Sequence, residues 1–265
     1  MSQQAVDGFR AEREEMLSTF KGLSEEEWNA PSDCAGWTNR DVLAHLACTL
    51  HGVVDPAFLA DLSGGAEAAM EAGVEERRSW PIADVIAEYE TYSAQAADTF
   101  ELLQGEGIGD APITMPELGT HPMKALAGCF LFDSYTHYRH DLLAPTGSVD
   151  RPQPERDEQR LRPTMEWMLA GLPWMCEDAL GPVVDRPIVL VLDGPGGGTW
   201  TIAPGGDDGR VLVTEVDTPG AAATIRSGTH DFVVWGTTRR PYRDFVKLEG
   251  DEDYAIAFLD CVNII

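Results

Sequence analysis

The hydrophobic rhythm of the chain changes once. Up to about residue 180 apolar side chains recur at helical spacing. From Ile188 onward they come in short runs separated by glycine-rich turns. A helical stripe must bury itself against other helices, and a strand run needs a sheet. The order predicts an α+β protein with the helices first. The 265 residues suffice for one large or two small domains. The change of pattern sets the expected domains at 1–180, a helical bundle, and 186–265, a small α+β domain.

Phe9, Met16, Leu17, Phe20 and Leu23 mark a first helix, and Ser24 to Glu27 resembles a capping box opening a short turn. After the loop Pro31 to Gly36, Thr38 reads as an N-cap with Asp41 at the third helical position. The second helix is expected to run to about residue 60 and break at Gly64-Gly65. A third starts at Pro81 and carries Val85, Ile86, Tyr89, Ala96 and Phe100. Residues 104–122 read as a loop. A fourth helix covers about 123–143 and stops before Pro145. A polar linker at 151–160 precedes a fifth helix over about 157–180, broken by Pro163 and Pro173. Strands are expected at 188–192, 199–202, 210–216 and 223–226, and helices near 229–238 and 251–262. The Gly194 to Gly198 run lacks the lysine of a phosphate loop and sits between two strands, so it reads as a hairpin turn.

Charge removes several function classes. The formal net charge is −26, which opposes binding to nucleic acid and to anionic membrane surfaces. The excess is uneven: residues 1–185 carry 12 basic and 33 acidic side chains, residues 186–265 carry 7 and 12. An anionic ligand would therefore look to the arginines of the second segment. No run is long and apolar enough for a membrane span, and the first residues do not read as a signal peptide. Five separated cysteines without a C-x-x-C argue against a disulfide framework or a cysteine zinc knuckle and for a reducing cytoplasm. Their default reading is as small buried hydrophobes.

Two helices carry residues with chemistry. His45 shares a face with Val42, Leu46 and Thr49; alone, such a histidine is more often a hydrogen-bonded core residue than a ligand. On the fourth helix Asp133 and His137 are four residues apart, and His140 and Asp141 continue the stripe. A carboxylate and an imidazole so placed can chelate one divalent cation, with a ligand from a facing helix completing a three-residue site. An ordinary salt-bridged or capping cluster shares this spacing.

The run Cys34-Ala-Gly-Trp-Thr-Asn-Arg-Asp-Val-Leu-Ala-His-Leu46, preceded by Leu23 to Trp28, resembles the N-terminal signature of the mycothiol-dependent maleylpyruvate isomerase family, within the DinB-like helical bundles. Asp133-x-x-x-His137, then Asp141-Leu and Pro145, is similar to the second signature. The segments 194–200, 223–226, 235–241, 248–251 and 258–260 resemble the family's small C-terminal domain, which is sterol-carrier-like. The resemblance implies an up-and-down bundle of four or five helices holding a zinc-type divalent metal through His45, Asp133 and His137. Two departures stand out. The enzyme that names the family has Glu where this chain has Asp133, and its H-x-x-D spacing is one residue longer here. His140 and Asp141 are therefore possible substitutes in the metal shell.

The resemblance further implies mycothiol, or a similar small thiol, as cosubstrate. Two histidines and a carboxylate leave an open coordination position, where a bound thiol would lose its proton. The thiolate would attack a small electrophile, giving cis–trans isomerisation or S-transfer. Arg239, Arg240 and Arg226 are the candidates for an acidic substrate's carboxylates. The expected state is a monomer or homodimer with no nucleic-acid or membrane partner. The rival readings are a non-catalytic binding protein for a metal or apolar ligand, and a thiol-independent metal-dependent hydrolase.

Overall fold

The computed structural model describes residues 3–58, 65–205 and 209–264. Their contacts divide the chain into two compact units. The first comprises Met1–Pro116 and Thr120–Glu155, the second Glu117–Gly119 and Arg156–Ile265.

The first unit is helical. Helix α1 spans Gln3–Lys21, and the short α2, Glu25–Asn29, begins with a complete Ser24/Glu27 capping box. Thr38 and Asp41 form a second capping box, which opens α3, Asn39–Val54. Helix α4 covers Ala66–Arg77, α5 covers Ile82–Leu102 and α6 covers Leu126–Thr136. Helix α6 continues without a break into a π-helical turn, His137–Leu142. Helix α3 packs against α5 and α4, and α1 packs against α5 and α6. The core between them is aromatic: Phe9 meets Phe100 edge-on at 5.2 Å and Phe20 meets Tyr89 edge-on at 5.7 Å. Glu12 and Arg139, both fully buried, form a two-pronged pair of 2.7 Å bonds that ties α1 to the π-turn.

Several expectations shift here. Helix α3 ends at Val54, and residue 60 and Gly64 lie outside the described residues. Gly65, with φ +94°, instead precedes α4, a helix whose sequence of alanines and glutamates shows little apolar periodicity. Pro81 caps α5 rather than beginning it. The expected loop 104–122 contains a small hairpin of β1, Pro112–Met115, and β2, Gly119–Pro122.

The second unit has a sheet of β3 (Ile188–Asp193), β4 (Gly198–Ala203), β5 (Leu212–Thr214), β6 (Ala223–Gly228) and β7 (Lys247–Gly250). The strand order is β5-β4-β3-β6-β7, antiparallel except where β3 runs parallel to β6. The Gly194 run is the hairpin turn between β3 and β4, closed by Gly197 N–H donating to Gly194 O. Gly196 is required there: its φ is +71°, and a Cβ would lie 2.3 Å from the backbone nitrogen of Arg162. Helices α7 (Glu158–Met175), α8 (Glu177–Leu180), α9 (Thr229–Gly236) and α10 (Glu252–Leu259) complete the unit.

Helix α7 corrects two expectations. It runs unbroken through Pro163 and Pro173. Each proline removes one backbone donor, but the helix is held by a buried face of Leu161, Met165, Met168, Leu169 and Leu172. That face also moves the domain boundary from 180 to 155/156, because α7 packs against β5 and α9 and so shares the core of the sheet unit. The division falls inside the polar linker at 151–160. The architecture is α+β, a helical domain followed by a sheet domain.

Candidate metal centre

The site lies in the first unit, between α3 and the junction of α6 with the π-turn. The capping box at Thr38 fixes where α3 starts, and His45 follows on its inner side, 8% exposed. Asp133 comes from α6, and His137 is the first residue of the π-turn. Asp133 Oδ1 stands 3.4 Å from Nε2 of His45 and 3.4 Å from Nε2 of His137. The ligand atoms of all three residues lie within 4.8 Å of one another. The two imidazoles meet edge-to-face at 4.8 Å, and Trp37 walls the site with its ring 5.3 Å from His45 and 6.3 Å from His137.

These spacings have a physical meaning. A charge-assisted N–H···O bond is closed at about 2.7–2.9 Å. At 3.4 Å the carboxylate is too far from either imidazole for a good one. A tetrahedral centre with bonds of about 2.0–2.1 Å has ligand-to-ligand edges of roughly 3.3–3.4 Å. The spacing of Asp133 from both histidines thus fits a small divalent cation better than direct bonding. The donor set of two nitrogens and one carboxylate oxygen also suits such an ion.

On the other edge of the His137 ring the distances are those of hydrogen bonds. Nδ1 is 2.7 Å from Oδ2 of the fully buried Asp141. The Cys34 thiol donates to the same Oδ2 at 3.1 Å, and its sulfur is 3.6 Å from Nδ1. Asp33 N–H donates to Asp141 O at 2.9 Å, which ties the loop before α3 to the π-turn. The loop is closed on itself by Ser32, whose N–H and hydroxyl both donate to Trp37 O.

Electrostatics follow this arrangement. Burial opposes ionisation of Asp133, yet the charge of His45 and polar contacts with His137 and His45 outweigh it and hold the carboxyl well below the usual range. Burial likewise opposes a charged His137, but contacts with Asp133, Asp141 and Cys34 push its pKa well above the ordinary value. His45 Nδ1 is buried without a hydrogen-bond partner.

The structure therefore brings His45, Asp133 and His137 together. It places Asp141 on Nδ1, behind His137 and away from the Nε2 cluster. His140 belongs to neither of the two ligand clusters found among the described residues. Asp141 thus meets the ring edge of His137 opposite to the one that Asp133 faces. Cys34 departs from the default reading of a buried hydrophobe, as does its contact with a residue 107 positions away. Only its place in the loop that precedes α3 could have hinted at this. Arg226, Arg239 and Arg240 belong to the second unit. Arg226 on β6 pairs with Glu249 at 2.9 Å, and Arg239 and Arg240 follow α9.

The fold and the cluster define a class: a helical bundle with a three-residue, metal-ligating type of site, joined to an α+β domain. Residues 9–111 match the family model described as the mycothiol maleylpyruvate isomerase N-terminal domain. In that domain the chain is similar to the mycothiol maleylpyruvate isomerase family. Two crystal structures of the mycothiol-dependent maleylpyruvate isomerase, one of a histidine-to-alanine mutant, are similar in fold. Their TM-scores are 0.55 and 0.54 at 14% identity, and each match covers 93% of this chain and 92% of the other. None of the curated proteins compared matches the chain. Among the described residues no helix is long and apolar enough to cross a membrane.

Proposed function

We propose that the protein is an isomerase that uses mycothiol, or a closely similar small thiol, and a divalent cation of the zinc type. One observation carries the reading: Asp133 Oδ1 stands 3.4 Å from Nε2 of both His45 and His137, the edge length of a tetrahedral centre. The match of residues 9–111 to the family model and the likeness in fold to the maleylpyruvate isomerase structures support the choice of chemistry.

His45, Asp133 and His137 would hold the cation and leave one position open. A cation so held stabilises a bound thiol as thiolate at neutral pH, the nucleophile that reversible addition to a conjugated cis double bond requires. The chain's own residues do the rest. His45 and His137 present Nε2, Asp133 contributes the negative charge, and the Trp37 ring stands beside both imidazoles. We assign an acidic substrate's carboxylates to arginines of the second unit, with Arg239, Arg240 and Arg226 as the candidates.

The test is turnover of a cis-configured, conjugated diacid such as maleylpyruvate by zinc-loaded protein, with and without mycothiol. Isomerisation that requires the thiol and is lost in His45→Ala supports the reading. Transfer of the thiol to the substrate would move the activity to S-transfer. Thiol-independent hydrolysis would make the protein a hydrolase, and no conversion of any electrophile would make it a binding protein.

A further inference from the structure

We propose that Cys34 and Asp141 form a positioning pair that sets the ring of His137 for its work at the Nε2 edge. The inference rests on the cation reading above and concerns residues outside that cluster. Asp141 Oδ2 receives two donors, Nδ1–H of His137 at 2.7 Å and the thiol of Cys34 at 3.1 Å. Cys34, His137 and Asp141 are themselves close enough to count as a ligand cluster. Their spacing says otherwise: 2.7 Å between nitrogen and oxygen is a hydrogen bond, well short of the edge between two ligands of one cation. The two edges of one imidazole thus have different tasks. Nε2 faces Asp133 at 3.4 Å, and Nδ1 is anchored.

The anchor has consequences for the ring. A carboxylate on Nδ1–H fixes the tautomer that leaves Nε2 as the donor, holds the ring plane and makes the imidazole a better ligand. Asp141 stands four residues beyond His137 within the π-turn, a spacing that keeps the two side chains neighbours. Cys34 acts one step further back. Its thiol holds the carboxylate from the loop before α3, while the Asp33 N–H bond to the backbone O of Asp141 ties the same loop to the π-turn. A thiol at position 34 thereby influences His137 without belonging to the Nε2 cluster.

Wild type, Cys34→Ala, Cys34→Ser and Asp141→Asn are compared in two measurements. In metal-free protein carrying 15N-histidine, NMR follows the Nδ1–H proton of His137, assigned by its loss in His137→Gln. The proton is expected far downfield and slow to exchange with water in wild type and Cys34→Ser, and faster to exchange in Cys34→Ala and Asp141→Asn. In chelator competition with Zn2+, Asp141→Asn is expected to weaken binding by roughly 10- to 100-fold. Cys34→Ala should weaken it by roughly 3- to 10-fold, the range of one modest hydrogen bond, and Cys34→Ser should restore it. Cys34→Ala and Asp141→Asn with wild-type exchange and wild-type zinc affinity would overturn the pair while leaving the cation reading intact. The expected NMR pattern in a protein that binds no zinc would uphold the pair as the ring's anchor and overturn the cation reading.

Discussion

His137 Nδ1 lies 2.7 Å from Oδ2 of Asp141, four residues along a π-helical turn. The bond occupies one edge of the imidazole and leaves Nε2 to face Asp133 and His45. The carboxylate that completes the Nε2 cluster is then Asp133. Its replacement by Asn keeps the size and removes the charge. Divalent-cation affinity, measured by chelator competition, is expected to fall by more than the 10–100-fold typical of a residue behind a ligand. Asp133→Glu restores the charge on a longer arm and is expected to retain most of the affinity.

A second buried charge network stabilises the bundle. Glu88 on α5 receives two 2.6 Å bonds from the fully buried Arg77 of α4 and faces Nδ1 of His51 on α3 at 2.8 Å. The His51 ring is stacked 3.6 Å from both Phe58 and Tyr92. Removing one partner strands a buried charge, so Glu88→Ala is expected to destabilise the protein by about 3–5 kcal/mol in chemical denaturation.

The same carboxyl gives a pH dependence. Burial opposes its ionisation, but Arg77 and His51 outweigh burial and lower its pKa. A lowered folded-state pKa stabilises the fold fully above the unfolded value, about 4.3, and the contribution is lost as pH falls through the lower folded value. Wild type should therefore lose stability on acidification below about pH 5 through this group. Glu88→Gln should show a shallower loss over that window when denaturation midpoints are compared.

The arginines of the second unit are tested by kinetics. If Arg239 and Arg240 take the substrate's carboxylates, Arg240→Ala or Arg239→Ala should raise KM for a diacid by roughly 10-fold or more, the worth of a charge-assisted bond. A neutral electrophile should be affected little. Equal effects on both substrates would remove the arginines from substrate binding.

Local signals in the sequence identify much of this architecture. The Thr38/Asp41 capping box marks the start of α3, and with it the face that carries His45. The four-residue spacing of Asp133 and His137 is readable because neighbours on one helix face are set by helical pitch. Features decided across long separations are not readable. Which ring edge of His137 each carboxylate meets is announced by no residue type, and Cys34 reaches Asp141 across 107 positions. Helix α4 is missed because its alanines and glutamates form no apolar stripe. Helix α7 is assigned to the wrong core because a helix's periodicity states that one face is buried and does not state against what. Its prolines are outweighed by that burial.

The cation at His45, Asp133 and His137 is the central claim, and elemental analysis tests it most directly. Protein purified without chelators and equilibrated with zinc, then freed of loosely bound ion, should hold about one equivalent. His45→Ala and His137→Ala, shown to be folded by circular dichroism, should hold almost none. A folded wild type that retains no stoichiometric divalent metal, or variants that retain as much as wild type, would contradict the account.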